Sequence, residues 1–317
     1  MIRVIVTEME YRKAENVFKN AEEFQCIAAP AEEGALAAKI RETGARCAIV
    51  GTTKYRGPLY DALAQGGVLV RFGVGHDGID KALAATRGIL CCNTPGVLDD
   101  SVAECAIGLM LECARHIAAC SAAAKNGIWS PRLGRELSGK TVAVIGCGNI
   151  GRKVARIAQL GFGMTTIGHG IREPVDRSFL DSFTCDFAEA VAPANVVSLH
   201  IPETASNRNF LNLDRLKKMK PSAILINTAR GGVLDEDALY DAVESGVIAG
   251  AGLDVFRQEP YQPQNSGKDL RTLENVLMTP HLGSSTQEAC DRIARVALNN
   301  ISLALAGRTK DIHLLVG

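Results

Sequence analysis

Three side chains able to bind an anion and move a proton stand just beyond apolar, strand-like runs in the second half of this 317-residue chain. Arg230 follows Ile226-Asn227-Thr228-Ala229 and precedes Gly231-Gly232; Glu259 precedes Pro260; His281 follows Thr279-Pro280 and precedes a Gly283-Ser284-Ser285 loop. A guanidinium flanked by glycines can project into a crevice and clamp a planar carboxylate through two parallel hydrogen bonds. Histidine exchanges a proton near neutral pH, and a carboxylate such as Glu259 orients the ring and stabilises its charged form. Singly, each has an ordinary structural reading, a solvated arginine or a packed histidine. Together at strand ends they point to acid–base chemistry on an acid.

A second constellation lies upstream. Thr141-Val142-Ala143-Val144-Ile145 runs into Gly146-Cys147-Gly148-Asn149-Ile150-Gly151, and a helical pattern follows with Val154, Ile157, Ala158 and Leu160. The first glycine permits a tight turn, the second lets the backbone approach a pyrophosphate, and the third allows the helix to pack closely on the strand. The helix start then offers amides and a positive dipole end to phosphates. A bare glycine-rich turn would carry little weight, but strand before and helix after make a dinucleotide fingerprint. The acidic residue expected about 20 residues on is missing. Instead the chain reads Ile167-Gly168-His169-Gly170-Ile171-Arg172. Gly170 removes the repulsion an acid would exert on a 2′-phosphate, and His169 or Arg172 could supply positive charge, so the reading leans to NADP over NAD. Ligands of open parallel sheets bind beyond the carboxyl ends of strands, which adds His200, Pro202, Thr228, Ala229, Arg230, Asp254, His281 and Gly283 as cofactor candidates.

The elements that must hold these residues follow from the apolar pattern. Ile2 to Thr7, Cys26 to Ala28, Cys47 to Val50, Val68 to Phe72 and Ile89 to Cys92 predict a small parallel α/β unit of about five strands. One long helix is expected from about Asp100 to Ala124, with Val102, Ala106, Leu109, Cys113 and Ile117 on one face and a Ser101/Glu104 capping box at its start. Beyond Lys140 the strands Thr141 to Ile145, Met164 to Ile167, Val196 to Ile201, Ala223 to Asn227, Gly250 to Val255 and Val276 to Thr279 are apolar on both faces, as in a buried parallel sheet. The length suggests two domains at about 150 residues each. The expected division is 1–97 plus 287–317 against 98–286, the helix-like stretch Thr286 to Ala306 and the tail returning to the first unit.

Composition narrows the function classes. With 35 basic and 35 acidic residues the formal charge is +0, which predicts no general attraction to nucleic acid or an anionic membrane. Apolar stretches stop well short of the roughly 20 residues that span a bilayer. The N-terminus enters a strand-length run without a signal peptide's long apolar region, so a cytoplasmic location is expected. None of the ten cysteines forms a C-x-x-C pair; they read as small buried hydrophobes, and no metal site is assigned.

With these residues in place the chain resembles the D-isomer-specific 2-hydroxyacid dehydrogenases, especially the 3-phosphoglycerate dehydrogenase and glyoxylate/hydroxypyruvate reductase branches. The matching segments run nearly the whole length: Arg71 to Asp80, Asn93-Thr94-Pro95 through Glu104, Trp129 with Glu136 to Lys140, the Gly146 loop, Ile226 to Gly232, Glu259-Pro260, and Thr279 to Ser284. The resemblance implies a Rossmann-type doubly wound cofactor domain and a second, flavodoxin-like α/β substrate domain that closes on it. It implies hydride transfer between NAD(P) and a small D-2-hydroxy or 2-keto acid, with His281 as acid/base, Glu259 supporting it, and Arg230 with the Val74 and Gly75 amides holding the carboxylate. Asp254 would lie near the nicotinamide, and the helix from Asp100 would form a homodimer interface. Two departures bear on the transfer. Gly170 stands where the family's acid is usual, and the loop Gly51-Thr52-Thr53-Lys54-Tyr55-Arg56 lacks the arginine run expected for a phosphorylated substrate, although Lys54, Arg56 and Arg71 could serve. The chain also ends without the regulatory domain of many phosphoglycerate dehydrogenases, so control by serine is not expected. The alternatives are D-3-phosphoglycerate dehydrogenase activity and, from another class, a nucleotide-sensing corepressor-like binding protein.

Overall fold

The strand-length apolar runs build two separate sheets. A computed structural model describes residues 1–63 and 65–316; Gly317, the expected end of the first domain, and Ala64 lie outside the described residues. In chain order the strands are β1 (Ile2–Thr7), β2 (Phe24–Ala29), β3 (Cys47–Val50), β4 (Val68–Arg71), β5 (Leu90–Cys92), β6 (Thr141–Ile145) and β7 (Thr165–His169). They continue with β8 (Ser182–Thr184), β9 (Val196–Leu199), β10 (Ile224–Asn227), β11 (Gly250–Leu253), β12 (Val276–Met278) and β13 (Leu314–Val316). One compact unit comprises Met1–Leu98 and Ser284 onward, the other Asp99–Gly283.

The sheet of the first unit has the order β13-β5-β4-β3-β1-β2. Its five N-terminal strands are parallel, in the flavodoxin-like sequence 2-1-3-4-5, and β13 closes the edge antiparallel to β5. The expected parallel unit of five strands therefore gains a sixth, antiparallel member. Three residues gave too short an apolar signal to separate a strand from a tail.

The second unit holds a seven-stranded parallel sheet in the order β12-β11-β10-β9-β6-β7-β8. The order reverses direction at β6, the doubly wound arrangement whose crevice lies beyond the carboxyl ends of β6 and β9. Alternate residues feed two cores: Ala143, Ile145, Val197, Leu199, Leu225 and Leu253 on one face, Val142, Val144, Val196, Ile224 and Ile226 on the other. Each such valine, leucine or isoleucine contributes about 1.5–3 kcal/mol on full burial, so both faces must be covered by helices. β8 was absent from the sequence reading; it is a three-residue edge strand paired only with β7.

The long helix expected from Asp100 to Ala124 is two helices. Asp99–Arg115 and Ile117–Lys125 meet at a 64° bend, where His116 takes a left-handed φ of 55°. Val102, Ala106 and Leu109 are buried as expected, but Ile117 is 56% exposed and the second helix buries no residue. A continuous apolar face could not have signalled this break, because the second segment is alanine-rich and helical by propensity. The Ser101/Glu104 capping box is also corrected: the helix begins at Asp99, so Ser101 lies inside its first turn. The last helix, Gln287–Leu305, does start on a cap, the Thr286 side chain accepting from the Ala289 amide. Among the described residues no single helix is long and apolar enough to cross a membrane. All ten cysteines are free thiols; against the buried reading only Cys47, Cys91, Cys92 and Cys290 are buried, Cys26, Cys105, Cys113, Cys120 and Cys147 are partly buried and Cys185 is exposed, and burial pushes Cys91 and Cys92 up to about 12.

Candidate active site

The glycine loop has the geometry its spacing requires. Gly146 donates its N–H to the His169 carbonyl at 2.8 Å and has a φ of 99°. A Cβ there would lie 2.6 Å from the His200 carbonyl oxygen, and a Cβ on Gly151 would lie 2.1 Å from the Gly146 oxygen. At Gly148 a Cβ would meet nothing within 4 Å, so the backbone faces open space at the start of helix Asn149–Phe162. No side chain caps that helix, which leaves first-turn amides and the dipole to an anion. Thr228, at the carboxyl end of β10, has a buried hydroxyl without a hydrogen-bond partner. A bound polar group would satisfy it. Open backbone at Gly148, uncapped amides and an orphaned hydroxyl on one sheet together fit a dinucleotide.

At the carboxyl ends of β11 and β12 a second assembly is built around Asp254, which is 1% exposed. Its Oδ1 accepts from the Leu282 amide at 2.8 Å and the Thr279 hydroxyl at 2.6 Å, and its Oδ2 accepts from the Gly283 amide at 2.8 Å. Its carbonyl accepts from the His281 amide at 2.9 Å. These four bonds surround His281, whose φ of 50° lies in the left-handed region that non-glycine residues adopt uncommonly. The His281 ring then places Nδ1 2.7 Å from Glu259 Oε2, while Glu259 Oε1 accepts from the Phe256 amide at 3.0 Å. Nδ1 is thereby engaged and Nε2 is left for a reacting group.

Burial works to raise the Glu259 pKa. The hydrogen bond and charge of His281, the Phe256 amide and the charge of Arg230 outweigh it and hold the carboxyl below its ordinary 4.5. A depressed carboxyl stabilises the fold above its unfolded pKa and loses that contribution as pH falls through the folded value. His200 adds to the same trend: desolvation pushes it down to about 4, so the unfolded chain binds its proton first between pH 6.5 and 4. The thermal midpoint is therefore expected to fall from pH 6.5 downward, with an extra decline below pH 4.5. Glu259→Gln should lose only the lower part, as scanning calorimetry across this range will show; an unchanged acid limb in the variant would contradict the assignment.

Arg230 is set by its own turn. Asn227, fully buried, accepts the Ala229 amide at 3.0 Å and donates to the Arg230 carbonyl at 3.0 Å. An asparagine at a strand end bridging to the amide two residues on is the signal that the sequence reading passed over. Arg230 Nη1 reaches the Ala229 carbonyl at 2.5 Å, the side chain is half-buried, and its charge acts on Glu259. Gly231 allows the turn to sit against the next loop, since a Cβ would lie 1.9 Å from the Phe256 carbonyl carbon.

The remaining expected contacts divide. Asn149 and Ile150 open the helix of the glycine loop; Asn149 accepts from Arg152 at 3.2 Å, and Ile150 packs against the core. Ala229 is half-buried in the Arg230 turn, and Gly283 lies under Asp254. His200 joins Ser198 Oγ at 2.8 Å through Nε2, and the Pro202 carbonyl accepts from Asn207 at 2.5 Å. His169 does not supply the positive charge that its strand-end position suggests. It is 8% exposed, lies edge-on to Phe187, and places Nδ1 3.2 Å from the Thr184 carbonyl; burial lowers its pKa, which works against a positive charge there. Arg172 is exposed beside Gly170, where a Cβ would make only ordinary contacts at 3.6 Å or more. In the first unit Val74 and Gly75 follow β4, with the Val74 carbonyl accepting from Asn93 at 2.7 Å. The Arg71 guanidinium turns onto the Phe72 carbonyl, and the Arg56 and Gly57 amides are held by the Glu33 carboxylate at 2.9 Å.

Residues 107–283 match the family model described as D-isomer specific 2-hydroxyacid dehydrogenase, NAD binding domain. The chain is 40% identical over 293 residues to a hydroxypyruvate reductase of Thermotoga maritima, covering 92% of this chain and 94% of that protein. It is 38% identical to the chloroplastic D-3-phosphoglycerate dehydrogenase 2 of Arabidopsis thaliana over 96% of this chain, and spans 49% of that protein's length. Among solved structures it superposes, with a TM-score of 0.82 and 30% identity, on an NADPH-dependent glyoxylate/hydroxypyruvate reductase of Sinorhizobium meliloti in complex with NADP and malonate. That match covers 96% of this chain and 94% of the other.

Proposed function

Because this chain belongs to the D-isomer-specific 2-hydroxyacid dehydrogenase family, and is by that membership an NAD(P)-dependent oxidoreductase, we propose that it reduces a small unphosphorylated 2-keto acid to the D-2-hydroxy acid. The observation that carries the reading is the Asp254-latched His281, paired through Nδ1 with Glu259. The Gly146 to Gly151 loop would hold the pyrophosphate of the dinucleotide, which would supply the hydride for the keto carbon when bound. Protonated His281 gives its Nε2 proton to the keto oxygen, and Glu259 holds the imidazolium that makes the transfer possible. Arg230 grips the substrate carboxylate and draws charge from the carbonyl, which fixes the carbon for attack. The Val74 and Gly75 amides are proposed for the same carboxylate on the family resemblance.

Glyoxylate and hydroxypyruvate are the favoured substrates, since relatives named for reducing them match over most of both chains. A phosphorylated acid has less support: the loop that would meet its phosphate carries the Glu33 carboxylate on its amides, and Gly51 sits against the Glu10 carboxylate. The product of hydroxypyruvate reduction should be D-glycerate by chiral chromatography, and L-glycerate would overturn the reading. Residues 1–97 with 287–317 are proposed as the substrate domain and 98–286 as the cofactor domain. A cytoplasmic homodimer is proposed as well; Trp129 at 91% and Leu133 at 96% exposure, near the apolar second helix, support a covered surface there.

For the cofactor, NADPH is the proposed preference, supported by Gly170, with Arg172 the remaining cation. Gly170→Asp fits without a clash and should lower kcat/KM for NADPH by on the order of 10- to 10²-fold through repulsion of the 2′-phosphate. NADH should be used as well or better. An unchanged NADPH/NADH ratio in initial-rate assays would show that ribose recognition lies elsewhere.

A further inference from the structure

Glu236 opens helix Glu236–Glu244 and is 5% exposed. Its Oε1 accepts the backbone amide of Arg257 at 2.7 Å. The Phe256-Arg257 segment, two consecutive peptide units that meet at the Phe256 Cα, is shared by both halves of the proposed chemistry. On one side the Phe256 amide orients Glu259, and Glu259 orients His281. On the other, Gly231, the residue after Arg230, presses against the Phe256 carbonyl and the Arg257 nitrogen so closely that a Cβ would lie 1.9 and 2.2 Å away. The Arg257 side chain closes the ring. Its guanidinium reaches Asn209 Oδ1, and the Asn209 amide donates to the Gly232 carbonyl at 2.9 Å. Gln264 takes the other end of Arg257 at 2.9 Å.

We infer that Glu236 and Arg257 form a clasp that sets the Phe256-Arg257 segment, and through the two peptide units meeting at Phe256 the mutual placement of Arg230 and the Glu259–His281 pair, so that Glu236 is a positioning residue for the reaction. The inference rests on the reductase reading. A buried carboxylate at a helix start could serve simply as a dipole partner. Two observations favour the clasp. Asp235 already caps this helix, accepting the Ala238 amide at 3.1 Å. Glu236 instead spends its hydrogen bond on the loop 21 residues away, and its Oε2 is buried with no partner. Burial without a stabilising counterpart on that oxygen is costly for a carboxyl whose only task is the helix end. The charged groups facing Glu236 are Arg257, Asp235 and Asp237; those facing Glu259 are His281 and Arg230.

The clasp requires an oxygen at this reach, not a charge. Glu236→Gln keeps the acceptor for the Arg257 amide and should hold kcat within a few-fold of wild type. Glu236→Asp keeps the charge but withdraws the oxygen by one methylene. It should lower kcat for glyoxylate and hydroxypyruvate on the order of 10- to 10²-fold, the loss that a displacement of about 1 Å brings. Its affinity for NADPH by fluorescence titration should stay as in wild type. Amide hydrogen exchange, which needs no turnover, should quicken in the Asp variant within residues 254–262 and leave the glycine-loop peptide unchanged. Asp at wild-type kcat and exchange, or Gln as impaired as Asp, overturns the inference. If wild type turns over neither acid, the reductase reading fails and the exchange comparison alone decides whether the clasp exists.

Discussion

His281→Gln is expected to lower kcat by on the order of 10²–10⁴-fold while leaving NADPH binding intact. Glutamine fills much of the ring's volume and can still donate a hydrogen bond, but it has no proton to give at neutral pH. The latch that positions residue 281 is made by its backbone and by Asp254, whose carboxylate serves Thr279, Leu282 and Gly283, so the loop survives the substitution. The effect should appear in kcat and kcat/KM together, because the interaction is made only as charge develops on the keto oxygen. Single-turnover kinetics with preformed complex will check this. Retention of wild-type kcat in the variant would remove His281 from the chemistry.

Arg230→Gln comes second in expected size, with a different signature. Two charge-assisted hydrogen bonds at about 1.5–3 kcal/mol each correspond to a loss in kcat/KM on the order of 10²–10⁴-fold. Much of it should fall in KM for the acid, since the carboxylate is bound before and during the reaction. Arg230→Lys should recover only part, because an ammonium cannot match the bidentate fork. The turn itself should persist: Asn227 bonds only backbone groups of residues 229 and 230. Steady-state kinetics over a range of acid concentrations separates the two parameters, and a variant with unchanged KM would contradict the clamp.

These two candidates stand out in the sequence because each carries a rare local context, an arginine between an apolar strand and two glycines, and a histidine between proline and a glycine-serine loop. The glycine loop was legible for the same reason: strand, spacing and helix all agree within about 20 residues. The latch was not. Asp254 and the Leu282 and Gly283 amides it binds are separated by nearly thirty residues of chain, and nothing local distinguishes a latching aspartate from one that faces a ligand. His169 misled because a histidine at a strand end looks available for charge; the Phe187 and Phe210 rings that bury it come from distant segments. The break at His116 failed to register for a third reason, since alanine-rich sequence is helical on either side of a kink. Edge strands β8 and β13, three residues each, are too short for periodicity to speak.

Glu236 shows the same division on a finer scale. Its position one residue after a capping aspartate looks like ordinary helix-start decoration, and only its bond to the Arg257 amide ties it to the loop that carries Glu259. Local pattern picks out the groups proposed to react, whereas the groups proposed to aim them are recorded in contacts between segments.

The most direct measurement is the initial rate of NADPH and NADH oxidation by the purified protein against glyoxylate, hydroxypyruvate, pyruvate, phosphohydroxypyruvate and bulkier 2-keto acids, with His281→Gln as the blank. Wild type alone should turn over, fastest with glyoxylate or hydroxypyruvate and with NADPH. Turnover confined to phosphohydroxypyruvate, or cofactor binding with no oxidation of either nucleotide by any acid in the panel, would contradict the proposed function.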